Sequence, residues 1–207
     1  MKLAIAAIVS STLLLGAFAV TRDRGGPPPN PSSATAGPFR GSETPGRFPM
    51  PAFSLRDSSG AVVSSESLRG NVVVLTFLDT RCKEACPIIA GQLARTAALL
   101  TPGVRRQVDF VAITSDPRVD TPAAIRAFLR RHQALGTVRY LSGPISTLRK
   151  LWHSFQILSA LESGNADTHS APVRIYSPGG IWLATQHAGA DLTPSNLAHD
   201  IRVAFRR

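Results

Sequence analysis

An α/β fold, with a central, mainly parallel sheet flanked by helices and an N-terminal β-hairpin, is what the sequence predicts. Three observations predict it. A continuous run of β-formers at 71–78 and a second apolar-rich segment at 108–114 have the composition of strands buried on both faces. Segments rich in helix formers alternate with such runs. Clusters of Gly, Pro, Ser and Asp bracket short strand patterns near both ends of this region.

The elements follow in order. Residues 52–55 and 61–63, split by Asp57-Ser58-Ser59-Gly60, form the first hairpin, and a helical turn is expected over 65–68. Strand 71–78 leads into a helix over 87–100, which Pro102-Gly103 stops. After strand 108–114, Asp120-Thr121-Pro122 sets a capping residue before a proline at the first helical position, opening a helix to about 132. A short strand at 138–141 and a helix at 145–155 come next. Ser177-Pro178-Gly179-Gly180 joins strands 172–176 and 181–186 in a second hairpin, and Thr193-Pro194 opens a last helix through 205. Strands linked through helices imply right-handed crossovers. A βαβ unit followed by a terminal ββα unit is the arrangement of the thioredoxin fold.

Three regions differ in composition. Residues 3–20 carry no charge and follow Met1-Lys2, so 1–20 reads as a targeting segment: a retained signal-anchor helix, or a signal peptide cleaved near Ala17-Phe18-Ala19. Either outcome exports the rest of the chain, and Lys2 ahead of the span agrees with that orientation. Residues 21–47 are rich in Pro, Gly and Ser and read as a linker, leaving 48–207 as one domain. The net charge is +10, from 23 Lys and Arg against 13 Asp and Glu, but the arginines are scattered and no nucleic-acid motif accompanies them. Nucleic acid is therefore not an expected partner. The excess charge suits anionic lipid headgroups or an acidic protein surface.

The chain has two cysteines, Cys82 and Cys86, where the first buried strand gives way to a helix. This is the carboxyl edge of a parallel sheet, where α/β folds place their sites. Spacing of four puts two helical side chains on one face at roughly 5–6 Å between Cβ atoms, and a nearby helix N-terminus favours thiolate. Three readings compete: a structural disulfide, a redox-active dithiol, and a metal site in which two soft sulfurs favour Cu(I) while also accepting Zn. A metal site needs a further ligand. His132 and His199 fall on helices, His153 beside Trp152 suits packing or surface, and His187 follows a strand. His169 stands in a loop just before a strand, a position from which an imidazole reaches the cysteine helix in this fold.

The segment Phe77-Leu78-Asp79-Thr80-Arg81-Cys82-Lys83-Glu84-Ala85-Cys86-Pro87 resembles the signature of the Sco/SenC family, Thr-x-Cys-x-x-x-Cys-Pro after an aromatic strand end. Asp116-Pro117 with Asp120-Thr121-Pro122 is similar to that family's second motif. His169-Ser170, with Pro178 and Gly180 nine and eleven residues beyond the histidine, matches the third. The resemblance implies a copper chaperone with a thioredoxin-like fold that helps assemble the copper centre of cytochrome c oxidase. Its copper ion, Cu(I) or Cu(II), is then held by Cys82, Cys86 and His169, and its partner is an apo-oxidase copper subunit or another copper-site protein. The expected location is a bacterial inner membrane with the domain facing the periplasm, or the periplasm itself if the N-terminal segment is cleaved. A thiol–disulfide oxidoreductase that uses the Cys82–Cys86 pair on a partner's copper-binding cysteines is the alternative. A peroxide-reducing relative is disfavoured, because Thr80 lies two residues before Cys82 instead of three.

The sequence departs from the family at Asp79, where a Tyr is usual, and at Thr168, where the Asp before the histidine is missing. A carboxylate beside a ligand orients it, and Asp167, one residue displaced, is the candidate replacement. Pro172 stands where thioredoxin-like proteins carry a cis-proline facing the dithiol.

Overall fold

A computed structural model describes residues 37–207. The segment 1–20 and residues 21–36 of the expected linker lie outside them. No helix among the described residues is long and apolar enough to cross a membrane.

Strands β4 (Val72–Leu78) and β5 (Val108–Thr114) form the centre, and every residue in both is buried. They pair in parallel from Val72 opposite Val108 to Leu78 opposite Thr114. Strand β6 (Val138–Ser142) adds to β5 in parallel. On the other side, β7 (Val173–Tyr176) runs antiparallel to β4, and its hairpin partner β8 (Ile181–Gln186) follows. The hairpin turn is closed by Gly180 N–H donating to the Ser177 carbonyl at 2.8 Å, with Gly180 at φ 74°, where a side chain would be strained. The first hairpin, β2 (Ser54–Asp57) and β3 (Val62–Ser64), docks on β6, also antiparallel. Residues 65–70 make turns without a helix.

The sheet is mixed. Its parallel part is confined to β4, β5 and β6, whereas the expectation was a mainly parallel sheet. Hairpins flank that core on both sides and cannot be parallel, because a short turn reverses the chain.

Side-chain alternation on β4 and β5 divides the core in two. Val72, Val74, Leu78, Phe110 and Ala112 face one layer, packed by α1 (Ala85–Leu99), α3 (Pro122–Arg131) and α6 (Pro194–Ala204) through Ile89, Leu93, Phe128, Leu197 and Ile201. Val73, Leu75, Phe77, Val111 and Ile113 face the other layer, packed by α4 (Ile145–Ser154) and the first hairpin through Leu148, Trp152, Leu55 and Val63. Two four-residue helices, α2 (Pro102–Arg105) and α5 (Ala160–Ser163), interrupt the connections. Thr121 and Thr193 cap α3 and α6 by accepting from Ala124 N–H and Asn196 N–H.

The linker expected over 21–47 overlaps an eighth strand, β1 (Ser42–Pro49), which pairs with β8 at the sheet edge. Its residues are almost all exposed, so no hydrophobic pattern betrays it. It is held by pairing and by one buried carboxylate. Asp200 accepts from Arg40 N–H at 2.7 Å, Gly41 N–H at 2.9 Å and Gln186 Nε2 at 2.7 Å. Asp200→Ala is expected to cost about 2–3 kcal/mol, the range for stranding buried donors. It should also open 37–49 to limited proteolysis while the remaining domain stays intact. Unchanged cleavage of this segment would count against the clamp.

Candidate metal centre

Strand β4 delivers the chain to the carboxyl edge of the sheet, where Asp79–Glu84 form a loop into α1. Cys86 sits in the first turn of α1 and is fully buried; Cys82 lies in the loop, buried but for 5%. The two are therefore not both on a helix face, as the spacing had implied. Their approach comes instead from the helix start: Cys86 N–H donates to Cys82 Sγ at 3.4 Å. Glu84 makes no side-chain cap, so the sulfur serves one of the unpaired amides that every helix N-terminus leaves.

This arrangement splits the thiols. The hydrogen bond from Cys86 is the largest influence on Cys82; burial opposes it, and His169 with the Cys86 and Glu84 amides reinforces it, bringing the Cys82 thiol down to about 5. Cys86 moves far the other way, through its own bond to the Cys82 thiolate, burial and the nearby negative charge. Alkylation of the reduced, metal-free chain by iodoacetamide should thus follow a titration near pH 5, with Cys82 as the modified residue. A midpoint above pH 8 would contradict the described geometry.

His169 lies in the loop between α5 and β7. Its Nε2 is 3.1 Å from Cys86 Sγ, and its Nδ1 is 3.2 Å from the Ser170 carbonyl. Cys82, Cys86 and His169 each present a ligand atom within 4.8 Å of the others. Burial pulls the imidazole towards neutrality, but the Cys82 thiolate and the Ser170 carbonyl outweigh it and hold its pKa above the ordinary value. Donation from Nδ1 to a carbonyl leaves Nε2 facing the sulfurs, the orientation a metal-binding imidazole needs. The loop is pinned in turn: Ser170 N–H donates to the Leu158 carbonyl at 2.8 Å, and Ser170 Oγ accepts from Leu158 N–H.

The other histidines stay apart from this group. His132 packs on the Phe128 ring, His153 and His187 are exposed, and His199 Nδ1 meets Asp200 Oδ1 at 3.0 Å.

The expected supporting residues divide. Asp167 does not take the place of a carboxylate on the imidazole. It accepts from Lys83 N–H at 2.7 Å, a bond that lowers its pKa and ties the histidine loop to the cysteine loop. Thr168 is exposed, its N–H on the Asn165 carbonyl. Asp79 is fully buried, with Oδ1 on Arg81 N–H at 2.7 Å and Oδ2 without a partner; burial raises its pKa. The bond before Pro172 is trans, as are all peptide bonds among the described residues. A cis-proline is therefore absent at that position.

Asp120, which belongs to the second motif and precedes the cap of α3, has a further role. One carboxylate oxygen accepts from Thr80 N–H at 2.9 Å and Thr80 Oγ1 at 2.6 Å; the other accepts from Thr114 Oγ1 and Tyr140 OH, both at 2.6 Å. It fastens the cysteine loop to β5 and β6 from beneath. Asp116 adds a second brace, through Arg81 at 3.1 Å and both nitrogens of the Arg118 fork. Their only trace in the sequence is the Asp-Pro and Asp-Thr-Pro spacing.

Comparison with known proteins bears on this geometry. A family model described as SCO1/SenC matches residues 42–205. A relative from Stutzerimonas stutzeri, named for copper binding, is 28% identical over 135 residues, which is 63% of this chain and 65% of the relative. The chain thus spans just under two thirds of that relative's length. Among solved structures, apo Sco1 from Thermus thermophilus superposes with a TM-score of 0.67 at 20% identity, covering 80% of this chain and 96% of that one. Bradyrhizobium japonicum ScoI with copper bound gives 0.65 at 21% identity, over 76% of this chain and all of the other.

Proposed function

The chain belongs to the SCO1/SenC family, and from that premise we propose that it is a copper-binding protein that serves cytochrome c oxidase assembly by carrying copper to an oxidase copper centre. One observation carries the reading: two sulfurs and an imidazole nitrogen lie within 4.8 Å of one another at the mouth of a sheet. Two soft thiolates with one imidazole form a donor set suited to copper, which is cargo here. Cys82 Sγ, Cys86 Sγ and His169 Nε2 would hold it. Copper bound to the Bradyrhizobium relative supports the choice of metal.

The remaining organisation is part of the same proposal. Residues 1–20 export the domain as an anchor or a cleaved signal, and the linker ahead of β1 sets its reach from the inner membrane on the periplasmic side. Recipients are apo-oxidase subunits or other copper-site proteins.

Anaerobic Cu(I) titration of the reduced chain tests this, followed by thiolate-to-copper absorption. About one copper per chain is expected, with His169→Ala weakening it at least ~10-fold, as loss of a ligand exceeds loss of a supporting group. If His169→Ala holds copper as tightly as the parent, the third ligand is wrong.

The split between the thiols favours a second reading, reduction of a partner's disulfide. Cys82 thiolate would attack one partner sulfur to give a mixed disulfide, releasing the other as thiolate. Cys86 would then attack Cys82 Sγ, leaving the partner dithiol reduced and this chain as the Cys82–Cys86 disulfide. A Cys86→Ser chain that traps the mixed disulfide supports this role; failure to trap with a copper-site dithiol partner in its oxidised form counts against it.

A further inference from the structure

Next to the histidine loop lies an open cavity of about 510 Å³, of a size that holds small organic ligands. Ser170 and Pro172 of that loop line it, with Ile157, Trp182 and Arg174. Arg174 is the unusual member. It is the second residue of β7, two before Tyr176 and so on the same strand face, and only 8% of it is exposed. Its guanidinium carbon lies 4.3 Å over the Trp182 ring and 5.9 Å over the Phe155 ring.

Stacking on rings satisfies the faces of a guanidinium and none of its N–H groups. The Tyr176 hydroxyl is a polar side-chain neighbour of Arg174; Nε of Arg174 has no hydrogen-bond partner, and no carboxylate pairs with the side chain among the described residues. A buried charge without a counter-charge is costly, and a planar fork of donors matches a carboxylate. The acid on the cavity rim, Glu43, is exposed and turns its Oε1 to Phe39 N–H. One cation calls for one negative charge, so a carboxylate fits better than a phosphate dianion. The walls of Trp182, Pro172 and Ile157 suit an apolar body behind it.

We propose that this cavity is a binding site for a carboxylate carried on an apolar body, with Arg174 as its counter-ion. The carboxylate belongs either to a free monocarboxylic acid or to an acidic side chain of a polypeptide. The site is separate from the copper ligands, so its test does not depend on metal.

The test uses the reduced, metal-free full chain and the fluorescence of Trp182, against which Arg174 lies. Trp182→Phe assigns the signal, since the other tryptophan, Trp152, is fully buried elsewhere. The probes are 3-phenylpropionate, its neutral amide, and the blocked peptide acetyl-Ala-Phe-Glu-Ala-Ala-amide, all at constant ionic strength. Saturable binding of the acid and not the amide is expected, weakened at least ~10-fold in Arg174→Met, as for a lost charge-assisted pair. Arg174→Met should keep or raise the urea midpoint, because it removes an unpaired buried charge. If it does not fold, Arg174→Lys keeps the charge without the fork and should show a smaller loss. Tighter binding of the peptide assigns the site to a polypeptide, and equal or weaker binding assigns it to a free acid. Three results would overturn the proposal: no saturable response in the parent, equal binding in Arg174→Met, or binding that appears only in Glu43→Gln, which would mean that the chain's own rim carboxylate fills the site.

Discussion

Asp120→Ala should lower the stability of the domain by about 3 kcal/mol or more, the scale on which a buried carboxylate leaves its partners stranded. Four donors converge on this side chain: Thr80 through both its amide and its hydroxyl, Thr114, and Tyr140. Asp120 is 2% exposed, and Thr114 and Tyr140 are at least as deeply buried, so water cannot replace the lost acceptor. Tyr140 has no alternative as phenolate, since burial and the neighbouring Asp120 charge push its pKa well up. Urea denaturation checks the size of the loss, with an unchanged slope showing that the unfolded state is the same. Because Thr80 sits two residues before Cys82, the same variant should also hold copper less tightly at urea concentrations where it remains folded. A loss below about 1 kcal/mol, the value of one ordinary hydrogen bond, would mean that the network is dispensable.

Cys86→Ala should reduce copper affinity more than about a hundredfold, beyond the ~10–100-fold that outer partners alone contribute. It removes a thiolate ligand and also the bond that most strongly favours the charged form of Cys82. The Cys82 thiol should therefore climb from about 5 towards its ordinary value. Deprotonation would then lag at pH 6–7, compounding the loss, because a metal must displace whatever proton the sulfur holds. Competition with a chromophoric Cu(I) chelator measures the first effect, and the pH profile of Cys82 alkylation measures the second. Retained affinity in this variant would remove Cys86 from the ligand set.

Much of the fold was legible because burial leaves a compositional trace. Val72–Leu78 and Val108–Thr114 are dominated by apolar residues, with Asp109 the one charge, and this is how a strand with water on neither face looks. Strand β1 left no such trace. Its sequence, Ser-Glu-Thr-Pro-Gly-Arg-Phe-Pro, has no apolar alternation; its pairing comes from β8, and Asp200, 158 residues beyond its first residue, anchors Arg40 and Gly41 just ahead of it. The antiparallel strands flanking the parallel centre are less legible for a related reason: helical connections stand out in sequence, whereas the number of hairpins beside them decides the balance. At the site, the paired sulfurs were visible, and His169 emerged from five histidines through a family resemblance. Its supports were not. Asp120 is spelled like a helix cap, and the acceptor that orients the imidazole is a main-chain carbonyl, which every residue type possesses.

That carbonyl has an evolutionary corollary. Where a side chain steers a ligand imidazole, each substitution at that side chain is a test of function. Here the guide at Ser170 is peptide backbone, so the ring's orientation does not depend on the exposed side chain of Thr168. Selection should press instead on whatever fixes the loop path, the pairing of residue 170 with residue 158 above all.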